Sequence, residues 1–106
     1  MSFFNLFKRP DIDHGVEEYR NISTAVLLDV RTPDEYCEGH IPGSKNIPLQ
    51  TIEKVQSVVK EMTTPLFVYC YSGSRSSQAT AMLKRMGYTN VKNIGGISDY
   101  TGKVAV

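Results

Sequence analysis

One stretch of the sequence indicates the fold class most clearly: Pro65-Leu-Phe-Val-Tyr-Cys70-Tyr-Ser-Gly-Ser-Arg75-Ser-Ser-Gln-Ala-Thr-Ala-Met-Leu83. Residues 66–69 are apolar, as in a buried strand. From Ser76 onward the apolar residues recur at helical spacing, at Ala79, Met82, Leu83 and Met86. The stretch therefore predicts a strand, a tight turn and a helix, with Cys70 at the carboxyl end of the strand.

Strand and helix patterns alternate along the rest of the chain. Further strands are predicted at 25–30, 45–47 and 91–94, and helices at 13–19, 33–38 and 49–62. Strands separated by helices need crossover connections, so the predicted fold class is α/β, a small, mainly parallel sheet with helices on both faces. Sites in such sheets lie beyond the carboxyl ends of the strands, where Cys70 is expected.

Two of the predicted helices have specific sequence support. Thr32, Pro33 and Glu35 match a helix start, with the Thr32 hydroxyl as N-cap and Glu35 completing a capping box. The helix at 49–62 is predicted from one apolar stripe, formed by Leu49, Ile52, Val55, Val59 and Met62.

Length and composition predict one small domain. The 106 residues carry a net charge of +1, and we expect a single domain over 1–106, with a core at about 12–101 and an apolar N-terminal segment at 1–10 that packs on an edge. The near-neutral charge argues against nucleic acid, and no apolar run reaches the ~20 residues of a membrane span. With no export signal and two cysteines, the expected location is cytoplasmic.

Cys70 is the candidate nucleophile. A thiol at a helix N-terminus meets free backbone N–H groups and the positive end of the helix dipole, which favour the reactive thiolate. Gly73 permits a turn with inward N–H groups, and Arg75 supplies a positive charge. A cysteine at a strand end is more often a small core residue, but the density of donors after Cys70 favours catalysis. Further hydroxyl donors are Ser72, Ser74 and Ser76.

Four segments of the chain resemble the single-domain rhodaneses, sulfurtransferases that carry a persulfide on a cysteine. Residues 70–76 resemble the active-site loop of that family. Residues 27–36 and 38–48 resemble its two signatures, and residues 93–97 resemble its glycine pair near the end of the domain. The segments occur in the family's order over about residues 25–100.

The resemblance implies a function and a set of site residues. Sulfane sulfur is expected to move from a donor such as thiosulfate to a thiophilic acceptor through a persulfide on Cys70. No cofactor is implied beyond that transient persulfide, and the partners are a small anionic donor and a thiol, cyanide or protein acceptor. The implied persulfide-binding loop comprises Tyr71, Ser72, Gly73, Ser74 and Arg75, with structural support from Asp29, Arg31 and Glu35.

The sequence departs from the rhodanese pattern at two positions, and the fold also occurs with other chemistry. Phosphatases and arsenate reductases share the fold, but the phosphatase loop is one residue longer than the one between Cys70 and Arg75, and a shorter loop suits a sulfur atom. Tyr71 stands where active rhodaneses often have arginine, which should weaken attraction for thiosulfate. Tyr100 replaces a tryptophan. The alternative is a partner-fed sulfur relay or a non-catalytic interaction module.

Other polar residues are interpreted as structural. Asp29 and Arg31 flank a strand end and predict an ion pair or cap. The resemblance to the rhodaneses also implies scaffold roles for them, with Arg31 contacting an acidic neighbour such as Glu35. His40 lies in a Gly/Pro-rich loop and is expected to be held by backbone hydrogen bonds rather than to act as a base.

Cys37 is expected to be a packed small residue, with a resolving thiol as the alternative. His14 is expected at the surface. The two cysteines and two histidines show no metal-ligand spacing, so no metal site is predicted.

Overall fold

The computed structural model describes residues 10–106, so the predicted packing of the apolar N-terminal segment lies outside the described residues. The helices are α1 (Ile12–Arg20), α2 (Pro33–Glu38), α3 (Val55–Val58) and α4 (Ser74–Arg85). The strands are β1 (Val26–Asp29), β2 (Lys45–Asn46), β3 (Leu66–Cys70) and β4 (Val91–Gly96). One 3-10 helix, Leu49–Lys54, precedes α3, and another, Ile97–Asp99, follows β4.

The four strands form one parallel sheet in the order β2-β1-β3-β4. β3 lies in the interior of the sheet, between β1 and β4, and all of its residues are buried. Every connection between paired strands is therefore a crossover, as the alternating sequence pattern requires. The predicted α/β fold is confirmed, and Cys70 ends a central strand.

Side chains of β3 alternate between two cores, one on each face of the sheet. Leu66, Val68 and Cys70 pack on the side of α4 and the first 3-10 helix. Phe67 and Tyr69 pack on the side of α1. Helices thus cover both faces, and the period of two along the strand directs the Cys70 side chain toward α4.

The capping box predicted for α2 is present. The Thr32 hydroxyl accepts a hydrogen bond from the Glu35 N–H at 3.2 Å, and Glu35 Oε1 accepts one from the Thr32 N–H at 3.0 Å. Gly39 forms the C-cap, where the helix was expected to end. α2 therefore holds Glu35 in a fixed position at its N-terminus.

The prediction of one helix over 49–62 is wrong in its backbone. The segment is a 3-10 helix with a kink at Thr51 (φ −125°, ψ 35°), followed by α3, which ends at Val58. Leu49, Ile52 and Val55 are three residues apart, a spacing that also suits the three residues per turn of a 3-10 helix. The buried face was nevertheless well predicted at Ile52, Val55 and Val59, whereas Met62 is 36% exposed.

Two helices begin earlier than predicted. α1 begins at Ile12, one residue before the predicted start, because Asp11 is its N-cap and accepts from the His14 N–H. α4 begins at Ser74 rather than Ser76. Within residues 10–106, no helix has the length and apolar character that crossing a membrane would demand.

Candidate active site

Cys70 lies where β3 turns into α4, and its side chain is almost fully buried, with 1% of its surface exposed. The turn depends on Gly73, whose φ of 105° and ψ of −10° fall in the left-handed region that glycine adopts without strain. Gly73 is the N-cap of α4, so Ser74 and Arg75 form its first turn instead of belonging to the loop. The first N–H groups of α4 consequently point back toward the thiol.

The Cys70 sulfur is surrounded by hydrogen-bond donors. The Gly73 N–H donates to Sγ at 3.0 Å, and Ser76 Oγ lies 3.4 Å from Sγ. Burial alone would raise the pKa of this thiol, but hydrogen bonds from the Ser76 hydroxyl and from the N–H groups of Ser76, Gly73 and Ser72 outweigh it. The pKa of Cys70 is therefore lowered from its ordinary value. A lowered pKa increases the thiolate fraction, and the thiolate is the nucleophilic form.

A bulge in β4 brings the glycine pair against the loop. Val68 pairs with Asn93, whereas the next residue of β3, Tyr69, pairs with Gly95, so Ile94 is the extra residue of β4. Cys70 consequently lies beside Gly96. A Cβ on Gly96 would collide with the Tyr71 carbonyl oxygen and lie 2.5 Å from Ser72 Cα. The loop can rest on β4 only because this position has no side chain.

Arg75 is engaged by Glu35 of α2. Its Nη1 lies 2.7 Å from Glu35 Oε1 and its Nη2 lies 3.0 Å from Oε2, a bidentate pair in which each side chain is about a third exposed, at 32% and 30%. The hydrogen bonds from Arg75 lower the pKa of Glu35 to about 2. The positive charge predicted for the loop is thus present, but a carboxylate neutralises it.

The predicted ion pair between Asp29 and Arg31 is confirmed, whereas the expected contact between Arg31 and Glu35 is wrong. Arg31 instead pairs with Asp29, with both side chains buried, through Nη2–Oδ2 at 2.6 Å and Nε–Oδ1 at 3.0 Å. Its Nη2 also donates to the Gly39 carbonyl at 2.8 Å. Because residues 29 and 31 flank one position at the end of β1, they reach each other more easily than Arg31 reaches α2. This pair braces the β1–α2 connection.

The three serines predicted as donors are not equivalent. Ser76 is fully buried beside Cys70, whereas Ser72 and Ser74 are exposed. Within residues 10–106, Ser76 is the one side chain hydrogen-bonded to Sγ. Tyr71, the residue after Cys70, is 54% exposed, so its ring lies at the surface.

His40 and Cys37 occupy the region around α2. The His40 backbone pairs with Ala105, its Nδ1 lies 2.9 Å from the Tyr36 carbonyl oxygen and its ring stacks on Tyr36 with 3.8 Å between centroids. Cys37 is exposed, so its predicted packing is wrong, because this position of the short α2 faces away from the sheet. Both cysteines are free thiols.

Asn93 belongs to the site, although sequence reasoning did not single it out. Its Oδ1 lies 2.7 Å from the hydroxyl of Ser76. The available signal was a polar residue inside an apolar strand, directly before the glycine pair. Tyr100 packs beside the α1-side core, and His14 is exposed. Among residues 10–106 no cluster of three or more His, Cys, Asp or Glu side chains is arranged to hold a metal ion.

Comparisons with known proteins agree with this geometry. The model of the Rhodanese-like domain family matches residues 15–103. Thiosulfate sulfurtransferase PspE of Escherichia coli (strain K12) is 41% identical over 73 residues, which cover 68% of this chain and 70% of that protein.

Two solved structures show the same fold. A rhodanese with anions from E. coli superposes with a TM-score of 0.72 at 36% identity, covering 76% of this chain and 96% of its own. The human single-domain sulfurtransferase TSTD1 also gives a TM-score of 0.72, at 26% identity, covering 87% and 95%. Because the family model spans nearly the whole described chain and the relatives include sulfurtransferases, the chain belongs to the rhodanese-like domain family and is a rhodanese-type transferase.

Proposed function

We propose that this chain transfers sulfane sulfur from a donor such as thiosulfate to a thiophilic acceptor through a persulfide on Cys70. The observation that carries the proposal is the sulfur of Cys70, which is buried, lies at the N-terminus of α4 and is held by the Gly73 N–H and the Ser76 hydroxyl. Such surroundings favour the thiolate, and a thiolate can act as the nucleophile without a separate base.

The reaction has two balanced halves. In the first, the Cys70 thiolate attacks the outer sulfur of thiosulfate, the sulfur–sulfur bond of thiosulfate breaks, and sulfite leaves with the bonding pair. In the second, cyanide or a thiolate attacks the terminal sulfur of the persulfide, and the bonding pair returns to Sγ. Each half exchanges one anion for another, so neither requires a proton, an oxidant or a cofactor.

The terminal sulfur of the persulfide is proposed to lie among the N–H groups of residues 71–75. Its negative charge would be stabilised by these fixed donors and by the N-terminus of α4, as in an oxyanion hole. The charge of Arg75 contributes less than the sequence predicted because Glu35 neutralises it. The two free thiols suit the reducing cytoplasm that we propose as the location.

A partner-fed sulfur relay is the second candidate. It is favoured by the exposed, uncharged Tyr71 that follows Cys70 and by the neutralised Arg75, which together offer little attraction for a doubly charged donor. In that case the donor is a persulfide on another protein or on a small thiol, and thiosulfate is a poor substrate.

Thiocyanate formation from thiosulfate and cyanide tests the proposal. We expect turnover by the wild type and by Cys37→Ser, and none by Cys70→Ser. The same assay with a small-molecule persulfide in place of thiosulfate distinguishes the two candidates, because a partner-fed relay should use the persulfide well and thiosulfate poorly. Turnover that survives Cys70→Ser, or Cys70-dependent hydrolysis of an aryl phosphate in place of sulfur transfer, contradicts the proposal.

A further inference from the structure

The hydroxyl of Ser76 lies at the centre of a polar cluster beneath the loop. Its Oγ is 2.7 Å from Asn93 Oδ1, 3.1 Å from the Gly73 carbonyl oxygen, 3.4 Å from the Gly95 carbonyl oxygen and 3.4 Å from Cys70 Sγ. Ser76 is fully buried. Since a hydroxyl has one proton, it donates to one of these four atoms at a time. The four acceptors therefore compete for that proton.

The Asn93 amide has one satisfied orientation. Its Oδ1 accepts a hydrogen bond from the Gly95 N–H at 3.0 Å, and its Nδ2 donates to the Gly73 carbonyl at 3.4 Å. A flipped amide would set Nδ2 against the Gly95 N–H, with two donors facing each other. Oδ1 is thus a fixed acceptor directed at the Ser76 hydroxyl.

The bulge in β4 explains how Asn93 reaches this position. Asn93 pairs with Val68, whose side chain lies in the core on the α4 side of the sheet. Neighbours in a parallel pair direct their side chains to the same face, so Asn93 also points toward α4. Since Ile94 is the extra residue, the chain then crosses under the loop at Gly95 and Gly96.

We propose that Asn93 is a positioning residue that acts on the Cys70 sulfur through the Ser76 hydroxyl. In the free thiolate, Sγ carries the negative charge and is the strongest acceptor near Ser76, so the hydroxyl donates to sulfur. In the persulfide, the charge lies on the terminal sulfur and Sγ is a poor acceptor, so the hydroxyl turns to Asn93 Oδ1. This inference rests on the proposed sulfur transfer, which is the step that removes charge from Sγ.

In the persulfide state, Asn93 provides the hydrogen-bond acceptor that the buried Ser76 hydroxyl would otherwise lack. Without Oδ1, the acceptors left in the persulfide state are the two glycine carbonyls. The Gly73 carbonyl already accepts from the Ser77 N–H at 3.1 Å, and the Gly95 carbonyl is distant at 3.4 Å. A buried donor without a good acceptor is costly. Asn93 therefore favours the sulfur-loaded state, and its removal should favour the thiolate.

The expected shifts have opposite signs for two substitutions. Asn93→Ala removes the acceptor that the Ser76 hydroxyl uses when Cys70 is a neutral thiol, so the thiol form is destabilised relative to the thiolate. The pKa of Cys70 should then fall by about 0.5, a roughly threefold change in thiolate fraction. Asn93→Asp introduces a stronger, charged acceptor and raises the pKa. The substitutions leave in place the charged side chains on the elements around the loop, namely Arg75, Glu35, Asp29, Asp99 and Lys92.

A double-mutant cycle tests whether Asn93 acts through Ser76. The rate of Cys70 alkylation by iodoacetamide is measured against pH for the parent, Asn93→Ala, Ser76→Ala and the double variant, all carrying Cys37→Ser to remove the exposed thiol. We expect Asn93→Ala to lower the pKa when Ser76 is present and to leave it unchanged when residue 76 is alanine. An equal shift in both backgrounds, no shift, or a rise overturns the proposal.

A second substitution at residue 93 keeps the proposal testable if Asn93→Ala does not fold. If circular dichroism shows Asn93→Ala to be unfolded, the near-isosteric Asn93→Asp is carried through the same cycle. We then expect the rise in pKa to shrink by more than half with Ser76→Ala, and an undiminished rise contradicts the proposal. Alkylation needs no sulfur donor. A failed thiocyanate assay therefore counts against the proposed function, and a failed cycle counts against Asn93 alone.

Discussion

Arg75 and Glu35 face each other through two parallel hydrogen bonds of 2.7 and 3.0 Å. Arg75 is the one cationic residue in 70–76, and its donor fork is occupied by a carboxylate instead of being open to an anion. Glu35 also completes the capping box of α2, so the pair ties the first turn of α4 to α2. For the proposed sulfur transfer, we therefore expect recognition of a donor to depend chiefly on backbone N–H groups and on contacts of the exposed Tyr71 ring.

Glu35→Gln should release the charge of Arg75. A neutral amide leaves the guanidinium uncompensated, so the KM for thiosulfate should fall about three- to tenfold with a smaller change in kcat. The matched control is Asp34→Asn, which removes an exposed charge from the neighbouring position of α2. Equal effects of the two variants would show that the change in KM comes from the net charge around the site and not from the release of Arg75. A higher KM in Glu35→Gln would contradict this role of the pair.

Acid stability should depend on the same pair. The pKa of Glu35 is lowered to about 2 in the folded protein, against ~4.3 in an unfolded chain. A lowered pKa contributes stability that is present above pH ~4.3 and is lost as the pH falls toward ~2. Because both side chains are about a third exposed, this contribution is at most about 1 kcal/mol.

Urea unfolding of the wild type and of Glu35→Gln measures that contribution. We expect the wild type to be the more stable at pH 5.5 and its advantage to shrink at about pH 3, in the window set by the lowered pKa. A difference that is the same at both pH values would show that Glu35 stabilises the fold without its charge.

Gly96→Ala should damage the site more than the fold. The new Cβ would collide with the Tyr71 carbonyl oxygen and Ser72 Cα, so the loop must move, at a cost of about 1–3 kcal/mol. Displaced N–H groups no longer hold Sγ, so alkylation of Cys70 at neutral pH should slow. Gly87→Ala is the control for a glycine substitution away from the site: Gly87 has a positive φ, which Gly96 (φ −126°) does not, and it lies beyond the far end of α4. Normal Cys70 reactivity in Gly96→Ala would contradict the account.

Tyr71→Arg should improve use of thiosulfate. It adds a cation at an exposed position next to Cys70, and the paired Glu35 is already engaged by Arg75. The KM for thiosulfate should fall several-fold, whereas Tyr71→Phe, which keeps the ring, should change little. An unchanged KM in Tyr71→Arg would refute the charge argument and favour a role for Tyr71 in contacting a larger donor.

Local chemistry explains what the sequence could predict. Thr32 and Glu35 form the expected capping box because its partners are three residues apart. Gly73 forms the expected strand-to-helix turn, and its positive φ of 105° is one that glycine adopts without strain. Cys70 lies at the end of a parallel strand because alternating strands and helices leave few other topologies. Each of these follows from short-range spacing or from the fold class.

Contacts between distant segments were beyond the sequence. Glu35 and Arg75 are 40 residues apart and meet across two helices, a contact that neither residue spacing nor the family resemblance, which implies Arg31 as the partner of Glu35, predicts. Asn93 reaches Ser76 only because Ile94 is bulged out of register. The apolar spacing over 49–62 predicts an α-helix, because α-helices and 3-10 helices can both bury apolar residues three positions apart; the segment before α3 is a 3-10 helix. These contacts therefore depend on strand register and on irregular backbone geometry, which sequence patterns do not predict.

The most direct test of the central claim is the intact mass of the protein after treatment with thiosulfate. We predict that the wild type and Cys37→Ser each gain about one sulfur atom, that cyanide removes it, and that Cys70→Ser gains none. A sulfur gain that persists in Cys70→Ser, or no gain in the wild type from either thiosulfate or a small-molecule persulfide, would contradict the assignment of Cys70 as the sulfur carrier.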